Sequence, residues 1–201
     1  MKINLIKKSI AASLLISLGN YVLLKIGNPL GPFLFSFGLL GVCYLNLNLF
    51  TGKCGFILEN KIKVVDILII LMVNLIFGYL FGYLYSYVDK SLVQSALLKV
   101  STYEFSFSFF VKSFMCGVIM YLAVKMYKEK TALGIIFGVP LFIFSGFQHS
   151  IANIITLGVA STFDWSIILC ILGNFIGSLF VWYISTDYKI AKRVKKCWIY
   201  I

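Results

Sequence analysis

The sequence predicts an all-α membrane protein of six transmembrane helices, arranged as an inverted three-plus-three repeat with the second and fifth helices broken. Three observations carry that expectation. Of the 201 residues, 61% are hydrophobic and 12% charged, against about 45–50% apolar and about 25% charged in soluble domains. The charge-free stretches fall into six segments, each close to or longer than the roughly 20 apolar residues that cross a bilayer as a helix. Two of those segments carry polar clusters well inside them. The same composition excludes a soluble globular enzyme and a disordered chain.

The six segments are 9–26, 33–57, 66–88, 105–124, 131–159 and 165–186. Connections between them are short, so residues 1–201 read as a single transmembrane domain. Its halves are about 1–88 and 89–188, followed by a basic tail over 189–201. Lys2, Lys7 and Lys8 ahead of the first apolar run resemble the start of a signal peptide. No small-residue cleavage site follows, and the sixfold pattern needs this segment as its first span.

The net charge of +11 raises the question of nucleic acid, and placement answers it, because the basic residues lie between and after the apolar segments. With the N-terminus inside, fourteen basic residues fall on the inner side, among them Lys53, Lys61, Lys63, Lys125, Lys128, Lys130 and the cluster at 189–196. Only Lys25, Lys90 and Lys99 fall outside, and Lys112 lies within the fourth span. The positive-inside rule then places both termini in the cytoplasm, in a cell (inner or plasma) membrane. The tail reads as a stop-transfer signal and an anchor to anionic lipid. No nucleic-acid partner is expected.

Catalytic material is scarce. One His and seven acids leave little for acid–base or metal chemistry. The five Cys are odd in number, and Cys43, Cys54, Cys116 and Cys170 lie in or beside apolar runs, which fits neither a disulfide framework nor a zinc cluster. No nucleophile–base pair, phosphate loop or Walker A pattern is visible. An enzyme is not expected, nor is any cofactor or metal.

The fifth stretch is free of formal charge over the 33 residues 131–163. As one helix it would reach about 50 Å, well beyond a hydrocarbon core of about 30 Å. Its middle reads Ser145-Gly146-Phe147-Gln148-His149-Ser150-Ile151-Ala152-Asn153. Non-helical backbone is tolerated at that depth only where protein or a water cavity shields it. Two half-helices joined by a loop near 145–148 are therefore expected. The second stretch repeats the pattern with Asn46-Leu47-Asn48-Leu49-Phe50-Thr51-Gly52. The third and sixth also match, Val73-Asn74-Leu75-Ile76-Phe77-Gly78 against Gly173-Asn174-Phe175-Ile176-Gly177. Three spans per half give the halves opposite topology, the pattern in which paired broken helices enclose a midplane substrate site.

With these segments laid out, the chain resembles the formate/nitrite transporter family. The run 145–153 resembles its fifth-helix signature, Leu49-Phe50-Thr51-Gly52 its second-helix loop, and 173–177 its sixth-helix signature. The resemblance covers nearly the whole chain. It implies an aquaporin-like fold, a homopentamer, and in each protomer a pore for small monovalent anions such as formate, nitrite or hydrosulfide.

His149 is the only histidine and falls near the middle of a span. An ionisable residue at that depth is costly, and either serves a function or is a neutral core group with both nitrogens satisfied. The resemblance implies the former: His149 meets the anion between two apolar constrictions and gives it a proton or a strong hydrogen bond. A bare anion pays a large desolvation penalty in an apolar slit, and a neutral acid pays far less. Thr51 is implied as its partner, since a hydroxyl donates to an anion while accepting from imidazole. As an alternative, Thr51 caps the second half-helix. Asn153 is expected to fix the loop, and Asn74 and Asn174 to tie helices together. Gly146, Gly173 and Gly177 would allow the turn and the close helix approach.

Phe35, Leu39, Phe50 and Phe142 match apolar pore positions of the family, and would form dry constrictions that hydrated ions cannot pass. Ordinary packing is their alternative. The family's lysine ahead of the fourth helix aligns at Ser101; Lys99, two residues earlier, is the candidate to attract anions. Gly117 stands where the family has Asn, Gln148 where formate channels often have Glu, and Val73 where Gly precedes Asn74. About eight residues precede the first span, so the N-terminal helix linked to gating in formate channels is not expected. The expected partners are a small monovalent anion, a proton and the lipid bilayer. Two competing readings stay open: a neutral small-solute pore, although the paired Asn-Pro-Ala loops of aquaporins are absent, and a non-transporting membrane scaffold.

Overall fold

The computed structural model describes residues 2–59 and 62–186. Lys61 and the basic tail at 189–196 lie outside the described residues. Those described are helical throughout, with no strand among them. Four helices are long and apolar enough to cross a bilayer: α1 (Lys2–Ile26), α4 (Val64–Val88), α6 (Phe107–Lys128) and α9 (Ser166–Ser185). The other two apolar stretches are each divided. The second forms α2 (Leu30–Tyr44), then one turn of α3 (Phe50–Lys53) continued by a 3-10 helix (Cys54–Glu59). The fifth forms α7 (Leu133–Phe144) and α8 (Ser150–Val159). One element was not expected: the connection between the third and fourth stretches folds into α5 (Ser91–Val100).

Both interruptions are built the same way. After α7, Gly146 adopts φ +68°, the left-handed conformation that ends many helices. Its N–H donates to Ile143 O and that of Phe147 to Phe142 O. After α2 the left-handed residue is Asn46 (φ 48°), with Asn46 N–H on Cys43 O and Leu47 N–H on Val42 O. Every position in the second turn is the corresponding position in the first plus one hundred. Asn tolerates this conformation better than most residues with a Cβ, which is why the first turn works without glycine.

Breaking a helix inside a membrane strands backbone donors and acceptors that no water can reach. Two buried asparagines take them up. Asn74 of α4 accepts from Phe50 N–H through Oδ1 at 2.9 Å, and its Nδ2 donates to Asn48 O at 3.3 Å and Ser13 Oγ at 3.1 Å. Asn174 of α9 accepts from Ser150 N–H at 2.8 Å and donates to Gln148 O and Ser113 O, both at 2.8 Å. The two sets again differ by one hundred in every residue number. Each asparagine thus fastens the start of a half-helix and the loop before it onto a continuous helix.

The continuous helices close on this framework through small residues. α6 packs along α9, α4 along α8, and α1 along α2 and α4. A Cβ on Gly177 would fall on Phe114 O, and one on Gly117 on Asn174 O. The second contact explains the absence of a side chain at 117, because anything larger would displace the backbone that carries Asn174. Gly82 and Gly158 play the same part where α4 crosses α8, against Ile155 O and Tyr79 O.

A substitution at that crossing should therefore separate sharply from one where space exists. Gly158→Leu is expected to lower stability in detergent by about 1–3 kcal/mol or more, the usual range for overpacking. Gly31→Ala, whose new Cβ would meet Leu23 at an ordinary 3.4 Å, is expected to melt near the parent. Thermal unfolding of the two purified variants checks this, and equal melting would contradict the close-crossing account.

Candidate functional site

The α7–α8 break places His149 as the residue that begins α8. Its backbone is extended (φ −102°, ψ 115°), and its Nδ1 accepts the N–H of Ala152 at 3.0 Å. The ring is therefore an N-cap, satisfying one of the helix's stranded donors. The other nitrogen, Nε2, lies 2.8 Å from Thr51 Oγ1, which comes from α3 in the other half of the chain. Since Nδ1 must present a lone pair to Ala152, the hydrogen-bond network assigns the neutral tautomer with its hydrogen on Nε2. Nε2–H donates to Thr51, and the hydrogen of the Thr51 hydroxyl remains for another acceptor. A second ring proton could sit only on Nδ1, where it would displace the Ala152 bond and add positive charge at a helix N-terminus.

Both side chains are buried, His149 at 2% exposure and Thr51 at 1%. The Phe142 ring stacks on the imidazole at 5.7 Å between centroids and 22° between planes, and Phe35 meets Phe142 edge-on at 6.2 Å. His149, Phe35, Phe142, Asn153 and Lys99 share the lining of one cavity of about 90 Å³. No carboxylate lines it. A second cavity of about 410 Å³ opens towards the opposite end of the bundle, lined by Leu39, Leu49, Cys43, Asn46, Lys53 and Lys128 among others. It too has no acidic lining residue. Phe35 and Leu39 are one helical turn apart on α2, so only ~6 Å of helix separates the two chambers.

The structure thus brings His149, Thr51, Phe35, Phe142, Asn153 and Lys99 together. Leu39 lines the second chamber. Phe50 lines neither of these chambers; its ring stacks on Phe175 at 6.5 Å, inside the packed core. Asn153 serves the loop, its Nδ2 donating to Gln148 Oε1 at 2.9 Å. Gln148 in turn donates to Gly146 O at 3.0 Å, so the neutral amide here closes the loop on itself. Asn74, Asn174, Gly146, Gly173 and Gly177 hold the framework described above. Lys112 is exposed on α6, and its carbonyl accepts the Gln148 N–H at 3.4 Å.

Sequence reasoning passed over Leu49, Cys43 and the site role of Lys53. Leu49 sits one hundred residues before His149, so the spacing of the two motifs pointed to it. Lys53 was read only as an inner charge. In the structure its Nζ lies 3.3 Å from Asn46 Oδ1, and Lys8 Nζ lies 3.2 Å from Asn46 O. Two ammonium groups meet at one loop with no acid lining the adjoining chamber.

Broken helices tied by asparagines, four membrane-length apolar helices and a buried histidine between two chambers define a helical integral membrane protein of the channel and transporter type. The family model described as formate/nitrite transporter matches residues 2–184, and the chain belongs to that family. Two solved structures are similar to it. One, titled an FNT family ion channel, superposes with a TM-score of 0.74 at 22% identity, covering 92% of this chain and 91% of that one. Another, titled a pentameric formate channel with formate bound, gives 0.66 at 18% identity over 98% and 95%. At these identities the likeness establishes the fold. A comparison with curated protein sequences finds no match.

The capping role of His149 can be separated from its pairing with Thr51. Asn is a good N-cap and Ala is not, so His149→Asn is expected to melt above His149→Ala by about 1 kcal/mol. Thermal unfolding in detergent reads the difference. Identical melting of the two variants would contradict the cap.

Proposed function

We propose that this protein is a membrane pore for small monovalent anions, formate, nitrite or hydrosulfide, in which the Thr51–His149 pair meets the anion. The observation that carries the proposal is the 2.8 Å contact between Thr51 and His149 beside a carboxylate-free cavity that Lys99 also lines. Family membership and the likeness to channel structures support it.

In this reading the six apolar stretches span the membrane as an inverted three-plus-three repeat. The one-hundred-residue correspondence between the two breaks and their asparagines supports that arrangement. The end bearing Lys53, Lys63, Lys125, Lys128 and Lys130 faces the cytoplasm, as the positive-inside rule requires. Both termini then lie inside. The protein assembles as a homopentamer in the plasma or inner membrane, as the similar formate channel does.

Transport follows from the chemistry of the lining. Lys99 raises the local concentration of anions at the outer cavity. Phe35, Phe142 and Leu39 exclude the hydration shell, which makes a bare ion costly and a neutral acid far cheaper. Thr51 accepts Nε2–H and is left with one hydroxyl hydrogen to give to the anion. That hydrogen bond stabilises the anion where its water is lost. A proton carried with the anion from outside converts it to the neutral acid for the apolar passage. His149 carries a single proton, already engaged with Thr51, so the arrangement supports hydrogen bonding to the substrate over permanent ring charge.

Flux into proteoliposomes tests this reading. Formate, nitrite, hydrosulfide and chloride would be compared at about pH 5.5 and about pH 7.5, on either side of the ordinary imidazole range. Uptake of one or more of the weak-acid anions is expected to exceed that of chloride and to rise at the lower pH. Thr51→Val and His149→Ala are each expected to lower it roughly tenfold or more, the loss of about one hydrogen bond to a charged group. No anion flux above empty liposomes from folded oligomer would overturn the proposal. Flux of a neutral solute in its place would favour a neutral-solute pore, and no flux of either kind a scaffold.

A further inference from the structure

The page holds a second charged constellation, at the end of the bundle where α1, α4 and α5 meet. Asp89 follows the last residue of α4. Its Oδ2 accepts from Lys25 Nζ of α1 at 2.6 Å and from the Tyr21 hydroxyl at 3.2 Å. Its Oδ1 accepts from Ser91 N–H at 3.0 Å and from the Ser91 hydroxyl at 2.6 Å, at the start of α5. Lys25 also donates to Ser91 Oγ at 3.0 Å. One carboxylate therefore fastens the beginning of α5 to two long helices.

The rest of α5 is thinly held. Only Leu92 and Ala96 are buried, against Leu24, Val159 and Ala160. Leu97 and Leu98 are exposed at 49% and 66%. Yet the last turn of this helix carries Lys99, which lines the cavity beside His149. Ten residues of helix span about 15 Å, so Asp89 stands far from the cavity and does not line it.

From this geometry we infer that Asp89, with Lys25, is a positioning residue for substrate capture: it fixes the start of α5 so that Lys99 at its far end is held over the cavity. The inference rests on the reading that Lys99 collects anions. Asp89 acts on the concentration at which the pore fills and leaves the passage itself unchanged. The carboxyl group is held well below the usual carboxylate range by Lys25 first and Ser91 next. A depressed carboxylate contributes fully above its ordinary range and is lost only as pH falls through the lowered value. The tie therefore persists through the mildly acidic conditions in which proton-linked uptake operates. The titratable groups that its hydrogen bonds bring to it are Lys25 and Tyr21 from α1.

The test is a concentration series of formate uptake into proteoliposomes for four proteins: the parent, Asp89→Asn, Lys99→Met and the double variant. Thermal melting and oligomer size are measured alongside. Asp89→Asn is expected to raise the half-saturating formate concentration roughly threefold to tenfold with maximal flux nearly unchanged, the scale on which a positioned charge concentrates a counter-ion. Lys99→Met should raise it at least as much. In the Lys99→Met background, Asp89→Asn should add nothing further. Lys25→Met should reproduce Asp89→Asn, and Asp89→Glu should restore part of the loss. A change in maximal flux alone, or effects of Asp89 and Lys99 that multiply, would overturn the inference while leaving the capture role of Lys99 standing. An unchanged half-saturation in Lys99→Met would remove that role, and the inference with it.

Discussion

A helix interrupted inside a bilayer must find partners for the backbone groups it releases, and the rest of this structure depends on how that is done. The solution is one asparagine per break. Asn74 and Asn174 each accept the first amide of a half-helix and donate to the loop before it. Leaving such groups unpaired would cost about 1–3 kcal/mol each. The asparagines need continuous helices to stand on, and those helices need backbone-to-backbone approach, which Gly117, Gly177, Gly82 and Gly158 permit. Loop, asparagine and glycine crossing form a single device used twice.

That device brings residues from distant parts of the chain within hydrogen-bond reach. Position 49 starts one half-helix and position 149 the other, and the two halves meet where Thr51 touches His149. The histidine is thus both a helix cap and a pore candidate. Its capping bond fixes which nitrogen holds the proton, and that nitrogen faces the threonine. Structure and chemistry are coupled through one ring: the bond that stabilises α8 also sets what the ring can donate.

Much of this was legible in the sequence. The unbroken charge-free run of 131–163 was too long for one helix, and its polar centre marked where it would part; the loop falls there. The match between residues 73–78 and 173–177 picked out both anchoring asparagines. Other features were hidden for physical reasons. α5 is short and carries charge near both ends, so it read as a connection. Aligning by residue number set the capture position at Ser101, whereas the last turn of α5 delivers Lys99 to the cavity. Phe50 shared the composition of a gate, and only packing shows its ring turned to Phe175. The second chamber, with Leu49 and Lys53, forms from segments that no local pattern links. The tautomer of His149 depends on a backbone N–H three residues on, which spacing alone does not reveal.

The central claim is that His149 is a neutral ring with its hydrogen on Nε2, capping α8 with one nitrogen and meeting Thr51 with the other. The chain contains one histidine, so labelling histidine with nitrogen-15 gives a single pair of ring signals. Solid-state NMR of the labelled protein in lipid bilayers near neutral pH reads them directly. The account predicts an unprotonated Nδ1 and a protonated Nε2, with the Nε2 signal shifting in Thr51→Val. A doubly protonated ring, or a hydrogen on Nδ1, would contradict it.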